Sequence, residues 1–251
     1  MSKRDDISKL YKPSKLLERI CMSLFWANIV VSVINVFVSK LSSYCTILLI
    51  VFALLYMLLS VIDDGCFWFI AERERRKNAI QKAYDVALSE HDTEGYYNNS
   101  IKDHELSYAA NIFESLFFTK EISKRMVFKS CVKSFLAIVV LIVACRFVEN
   151  DEILLIISQT AFSTTLIEET IRLILFLQRI RALYDDAYCQ FVANGINKKT
   201  QRVWLRWFCV EYESIKAHYR IRLSESIFNK MNPELSKQWE CISKQIKTKA
   251  K

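Results

Sequence analysis

The sequence predicts an all-α, polytopic membrane protein with two transmembrane helical hairpins, four spans in all, joined to a cytoplasmic helical layer. Three observations predict it. The 251 residues include three glycines and two prolines, where average usage would give roughly 17 and 12. So few turn formers leave little room for β-hairpins, βαβ crossovers or phosphate-cradling loops. The chain is 52% hydrophobic and 25% charged with a formal net charge of +8, and its mean hydropathy of +0.14 excludes wholesale disorder. Finally, apolar and charged residues are segregated into blocks along the chain.

The first two blocks are the firmest. Residues 20–38 (ICMSLFWANIVVSVINVFV) and 41–62 carry no charge, and each is close to the ~20 residues a helix needs to cross a bilayer. Ser39-Lys40 between them is long enough only for an antiparallel hairpin. A secretory signal does not fit, because no small-residue cleavage site follows the first block and a second apolar block arrives at once. The second pair is shorter: 134–145 and 153–167 are uncharged. Flanking Lys129, Lys133 and Arg146 can snorkel to extend the former. The alternative is a buried soluble core pair, but LAIVVLIVAC and ILLIIS are apolar all round rather than on one stripe.

Orientation follows from the basic residues. Thirty-three of the thirty-five Lys and Arg lie in 1–19, 63–133 and 168–251, and the hairpin tips carry only Lys40 and Arg146. The positive-inside bias predicts both termini in the cytoplasm and almost nothing outside. The expected division is 1–66, N-terminal tail and first hairpin; 67–126, a cytoplasmic helical segment; 127–175, second hairpin; and 176–251, a C-terminal cytoplasmic helical segment. Eight cysteines without C-x-x-C spacing read as free thiols in a reducing compartment.

In the first cytoplasmic segment, span two is expected to continue as a helix with no breaker before Ser89. Residues 91–103 form the loop, and a new helix begins at Glu105. Its apolar stripe is Leu106, Ala109, Ala110, Phe113, Leu116 and Phe117. In the second, span four continues to a stop at Asn194-Gly195, a helix runs from about Thr200 to Asn229, and a last helix opens at Asn232-Pro233-Glu234.

The chemistry of an enzyme is not visible. His91, His104 and His218 lie in separate segments without metal-ligand spacing, and no nucleophile elbow or nucleotide loop is present. No catalytic residue, metal or cofactor is assigned, and the chain reads as not an enzyme. Polar residues in the spans are more informative, because lipid makes each one costly unless partnered. Asn28, Ser32, Asn35 and Ser39 form one line on span one. Ser158, Thr165, Glu169 and Arg172 form another on span four, with Glu168 beside it. These lines either face neighbouring helices and hydrogen-bond there, or line a water-filled path. On the basic side, Arg202, Arg206, Arg220 and Arg222 interleave with Trp204, Trp207 and Tyr219. That pattern suits an anionic ligand or lipid headgroups, and equally an amphipathic helix with aromatics packed inward. Trp204, Trp207, Phe208, Ile215, Phe228 and Trp239 are many large residues for a small layer to bury, which predicts a homo-oligomer joined through the cytoplasmic helices.

Two hairpins about seventy residues apart with a helical C-terminal extension, together with EGYYNNSIKD and ANIFESLFFTKEISKRM between Glu94 and Met126, resemble the four-transmembrane pore-forming effectors of bacterial anti-phage systems. Those are encoded beside synthases of nucleotide second messengers. The layout covers the whole chain; the tryptophan-containing segment of the better-defined effectors is not matched, so no functional residue is carried over. The resemblance implies a multi-pass protein of the bacterial inner membrane that oligomerises and permeabilises it on a cytoplasmic signal. Its implied partners are the lipid bilayer, further copies of the chain, and a nucleotide messenger or a soluble defence protein; direct binding of nucleic acid is not expected. The competing expectation is a non-conducting, membrane-anchored sensor or scaffold subunit that recruits a soluble defence partner.

Overall fold

The computed structural model describes residues 6–38, 42–91, 93, 101–147, 167–194 and 199–249. The described residues are helical, with no strand among them. The helices are α1 (Asp6–Leu10), α2 (Lys12–Phe37), α3 (Ser42–Ile62), α4 (Trp68–Tyr84), α5 (His104–Phe147), α6 (Glu169–Tyr188), α7 (Lys199–Tyr219) and α8 (Glu225–Lys249). They fall into two compact units. The first takes in α1, α2, α3, α4 as far as Asn78, the segment 87–93 and α5 from Leu136. The second takes in residues 79–86, α5 as far as Phe135, α6, α7 and α8.

In the first unit α2 and α3 pair antiparallel. Asn28 meets Leu49 and Cys21 meets Tyr56, the register of a hairpin. α3 passes through a π-helical turn at Asp63–Phe67 into α4, giving one helix from Ser43 to Tyr84 that is long and apolar enough to cross a membrane. Only 6% of its apolar window is buried, which is unlike the core helix of a soluble protein. It is the sole candidate span among the described residues, so four spans are not established by the fold. Residues 153–166, nearly all of the fourth predicted span at 153–167, lie outside the described residues.

Several expected boundaries are corrected. α4 ends at Tyr84 rather than near Ser89, because Asp85 takes a left-handed φ of 53°. The segment after it then turns back on α4: Asn78 Nδ2 donates to His91 O, Thr93 Oγ1 to Asn78 Oδ1, and Ser89 Oγ to Glu74 Oε2. The predicted helix over 200–229 is broken. Arg220 adopts φ 49° while its N–H bonds Lys216 O at 3.0 Å, a left-handed cap that ends α7. α8 opens at Glu225 rather than at Asn232, and Pro233 lies inside it. Ser224 is the signal that displaced the start: its Oγ accepts the Ile227 N–H and its carbonyl accepts Phe228 N–H.

The second unit carries the packed core. Asp103 caps α5 through its Oδ1 and the Leu106 N–H at 3.0 Å, and α5 then runs unbroken for 44 residues. The whole predicted stripe, Leu106, Ala109, Ala110, Phe113, Leu116 and Phe117, is buried. Against it pack Phe176, Ile180 and Tyr184 of α6, Phe208 and Tyr212 of α7, and Trp239 of α8. The aromatic residues read as excess are largely absorbed here within one chain. Trp204 stacks on Phe208, Trp239 meets Phe113 edge-on, Phe228 packs on Phe118, and Phe208 and Ile215 are buried. Of the six, Trp207 stays 46% exposed.

Candidate functional site

Of the polar line on α2, Asn28 reaches across the hairpin seam. Asn28 Nδ2 donates to Leu49 O at 3.3 Å, and Ser32 Oγ donates back to Asn28 O at 2.9 Å. Carbonyls one turn back commonly take such hydroxyls where lipid offers no water. Asn35 differs from both. By the same register it lies level with the start of α3, and among the described residues its buried Oδ1 has no hydrogen-bond partner, a costly state for an amide oxygen. Ser39, Ser158 and Thr165 lie outside the described residues. Glu168, Glu169 and Arg172 are exposed at the start of α6.

A polar cluster that the sequence reading missed binds α5 to α6. Thr170 Oγ1 is 2.6 Å from Ser130 Oγ and 2.7 Å from Ser134 Oγ, with Thr170 and Ser134 both buried. Thr170 sits one place off the predicted line of Thr165 and Glu169. The helical period that drew that line could not say which flank meets α5.

The basic face is built differently from the expected anion site. Arg202 Nη2 donates to Asp103 Oδ2 at 2.8 Å, and Arg206 Nε donates to Glu105 Oε1 at 2.9 Å, with Arg206 Nη2 on the same oxygen. Two carboxylates therefore already neutralise the two guanidinium groups, so an anionic ligand would have to displace them. Beside them His104 stacks on Tyr84 at 5.5 Å and donates from Nδ1 to Ala83 O at 2.9 Å. Burial, then the Glu105 charge, pushes the Tyr84 phenol up, and burial pushes the Cys209 thiol up to about 12. Cys209 is therefore an inert core thiol rather than a nucleophile. Arg220 is exposed and Arg222 half-buried in the break between α7 and α8. Trp204, expected as a stacking surface, is instead part of the Phe208 stack.

One further titratable group is half-buried beside the core. Burial raises Glu114 to about 7, opposed by the hydrogen bond from the Trp239 side chain. Nearby, Lys120 Nζ lies 3.4 Å from the centre of the Tyr184 ring, whose phenol burial pushes up to about 12. Among the described residues no group of His, Cys, Asp and Glu is arranged to hold a metal. No protein-family model matches the chain, and neither a curated protein nor a solved structure does.

Proposed function

We propose that the protein is a multi-pass effector of the bacterial inner membrane, with four spans and both termini in the cytoplasm, that oligomerises and permeabilises the membrane on a cytoplasmic signal in anti-phage defence. The observation that carries this reading is Asn35. Its buried Oδ1 has no donor among the described residues, on a helix paired with an outward-facing apolar partner. A donor from water or from another copy in an assembly would satisfy it, which is what a wet path or an oligomer provides. The charge distribution and the resemblance of the layout support the same reading.

A second reading, a non-conducting anchored scaffold, is favoured by the Asn28–Leu49 bond and by the internal pairing of Arg202 and Arg206. Dye leakage from liposomes holding the purified full-length protein, with and without cyclic and linear oligonucleotide messengers, separates them. Leakage that is lost in Asn35→Leu while expression and membrane insertion persist supports the effector. No leakage under any messenger supports the scaffold.

A further inference from the structure

α7 has two apolar faces, and only one is used by the core. Leu205, Phe208, Cys209, Tyr212 and Ile215 point inward and are buried. On the opposite side Val203 is 64% exposed, Trp207 46% and Val210 65%. Ser214 and Ala217 continue that exposed line. The spacing is 4-3-4-3, the seam of a coiled coil. Ser214 Oγ is already bonded to Val210 O at 2.8 Å, so its polar atom does not oppose a dry contact.

Distance along a single helix keeps the N-terminal end of this line away from lipid. Arg206 is bonded to Glu105, which fixes this part of α7 at the beginning of α5. Phe128, the first of the large exposed apolar side chains on α5, lies 23 residues further on. At about 1.5 Å per residue that is roughly 35 Å from Glu105, out of reach of a headgroup layer for Val203 and Trp207. Tyr212, against Thr119, stands nine residues or about 14 Å before Phe128.

The flanks of the line identify a protein instead. With Val203 and Val210 at one seam position and Trp207 at the other, the flanking positions hold Arg206 and Glu213 on one side and Glu211 and His218 on the other. In a parallel pair, each residue of the first flank meets the partner's residue five places further on. Arg206, whose Nε and Nη2 are held by Glu105, then turns its remaining Nη1 toward Glu211, and Glu213 meets His218, opposite charges at the first and a carboxylate facing an imidazole at the second. The direction is also right. Arg202 pairs with Asp103, Arg206 with Glu105 and Tyr212 with Thr119, so α7 ascends alongside α5. Two copies standing in one membrane would therefore present α7 in the same direction.

We infer that the outer face of α7 (Val203, Trp207 and Val210, flanked by Arg206 and Glu211) is a parallel, self-pairing seam joining two copies of this chain. The inference rests on the oligomer in the proposed function and locates its contact. Val203 and Val210 occupy positions where each residue meets its own copy, close enough for a disulfide between cysteines.

The test uses full-length protein in proteoliposomes, with the exposed Cys66, Cys189 and Cys241 replaced by Ser. On mild oxidation Val203→Cys alone and Val210→Cys alone should each give a disulfide-linked dimer, and Ser226→Cys on the exposed surface of α8 should not. Adding Glu211→Lys to Val203→Cys sets two lysines against two arginines and should cut the dimer yield about tenfold. No dimer from either single cysteine overturns the pairing and leaves the face to a different protein. A dimer that forms only when Val203→Cys and Val210→Cys chains are mixed overturns it by showing an antiparallel arrangement. Leakage measured on the same vesicles keeps the two readings apart. Leakage without the cross-link discards this seam and keeps the effector, and the cross-link without leakage does the reverse.

Discussion

The hairpin of α2 and α3 and the core of the second unit are built on inverted patterns. In the hairpin the large apolar side chains point away from the protein: Leu54 is 50% exposed, Leu58 52% and Val61 65%. Its polar atoms turn inward, as Asn28 does toward Leu49 O. In the second unit Phe113, Phe176 and Phe208 are at most 1% exposed, while Arg202 and Arg206 stand at the surface. The same amino-acid types thus sort oppositely within one chain. The hydrophobic effect drives the second arrangement. In a bilayer it would have no hold on the first, where helix pairing would depend on close packing and a few hydrogen bonds.

The largest effect should come from the core. Phe113→Ala removes a ring that touches Tyr184, Phe191 and Trp239 and is expected to cost about 3–5 kcal/mol. Leu54→Ala on the exposed hairpin face should cost less than about 1 kcal/mol. Thermal melts in detergent followed by tryptophan fluorescence compare them, and equal losses would break the inversion.

Next in size is a pH effect confined to the second unit. Glu114 is raised from 4.5 to about 7, so the folded chain holds a proton that the unfolded chain has released. Stability is therefore full below about pH 4.5 and falls as pH rises toward 7, by at most about 3 kcal/mol. Glu114→Gln should flatten this slope and raise the melting temperature at pH 8. A wild-type melt that does not change between pH 5 and 8 would show that Glu114 is solvated.

Thr170→Val sits between the two patterns, since it leaves the Ser130 and Ser134 hydroxyls without their shared partner. A loss of about 1–2 kcal/mol is expected, and Thr170→Ser should recover most of it. The smallest effect belongs to Asn28→Leu. One interhelical bond in lipid is worth about 0.6 kcal/mol, so cross-linking of α2 to α3 through paired cysteines should be barely altered. A large drop would mean that the hairpin depends on polar contacts as heavily as the core depends on aromatic ones.

Much of the second unit was legible in residue order. The stripe from Leu106 to Phe117 is entirely buried because a 3.6-residue period on a long helix leaves one choice of face. Less legible were the breaks. Arg220 and Asp85 both take left-handed backbone; arginine does not advertise it, and aspartate does so far more weakly than glycine. Pro233, which reads as a helix start, is carried inside α8 because Ser224 offers an earlier cap. The candidate sites were legible only in part. Arg202 and Arg206 stand out as cations, but their partners Asp103 and Glu105 are about a hundred residues away in sequence. No local pattern could pair them.

By itself the sequence determined the helical class, the apolar run of α3 and the buried face of α5, because composition and period act locally and each residue contributes independently of distant ones. The tertiary structure alone decided which charges neutralise each other, that among the described residues Asn28 is satisfied and the Asn35 oxygen is not, and that one face of α7 is covered while the other is left open. Those are questions of which distant groups meet, and desolvation and hydrogen-bond geometry settle them only after the helices have packed.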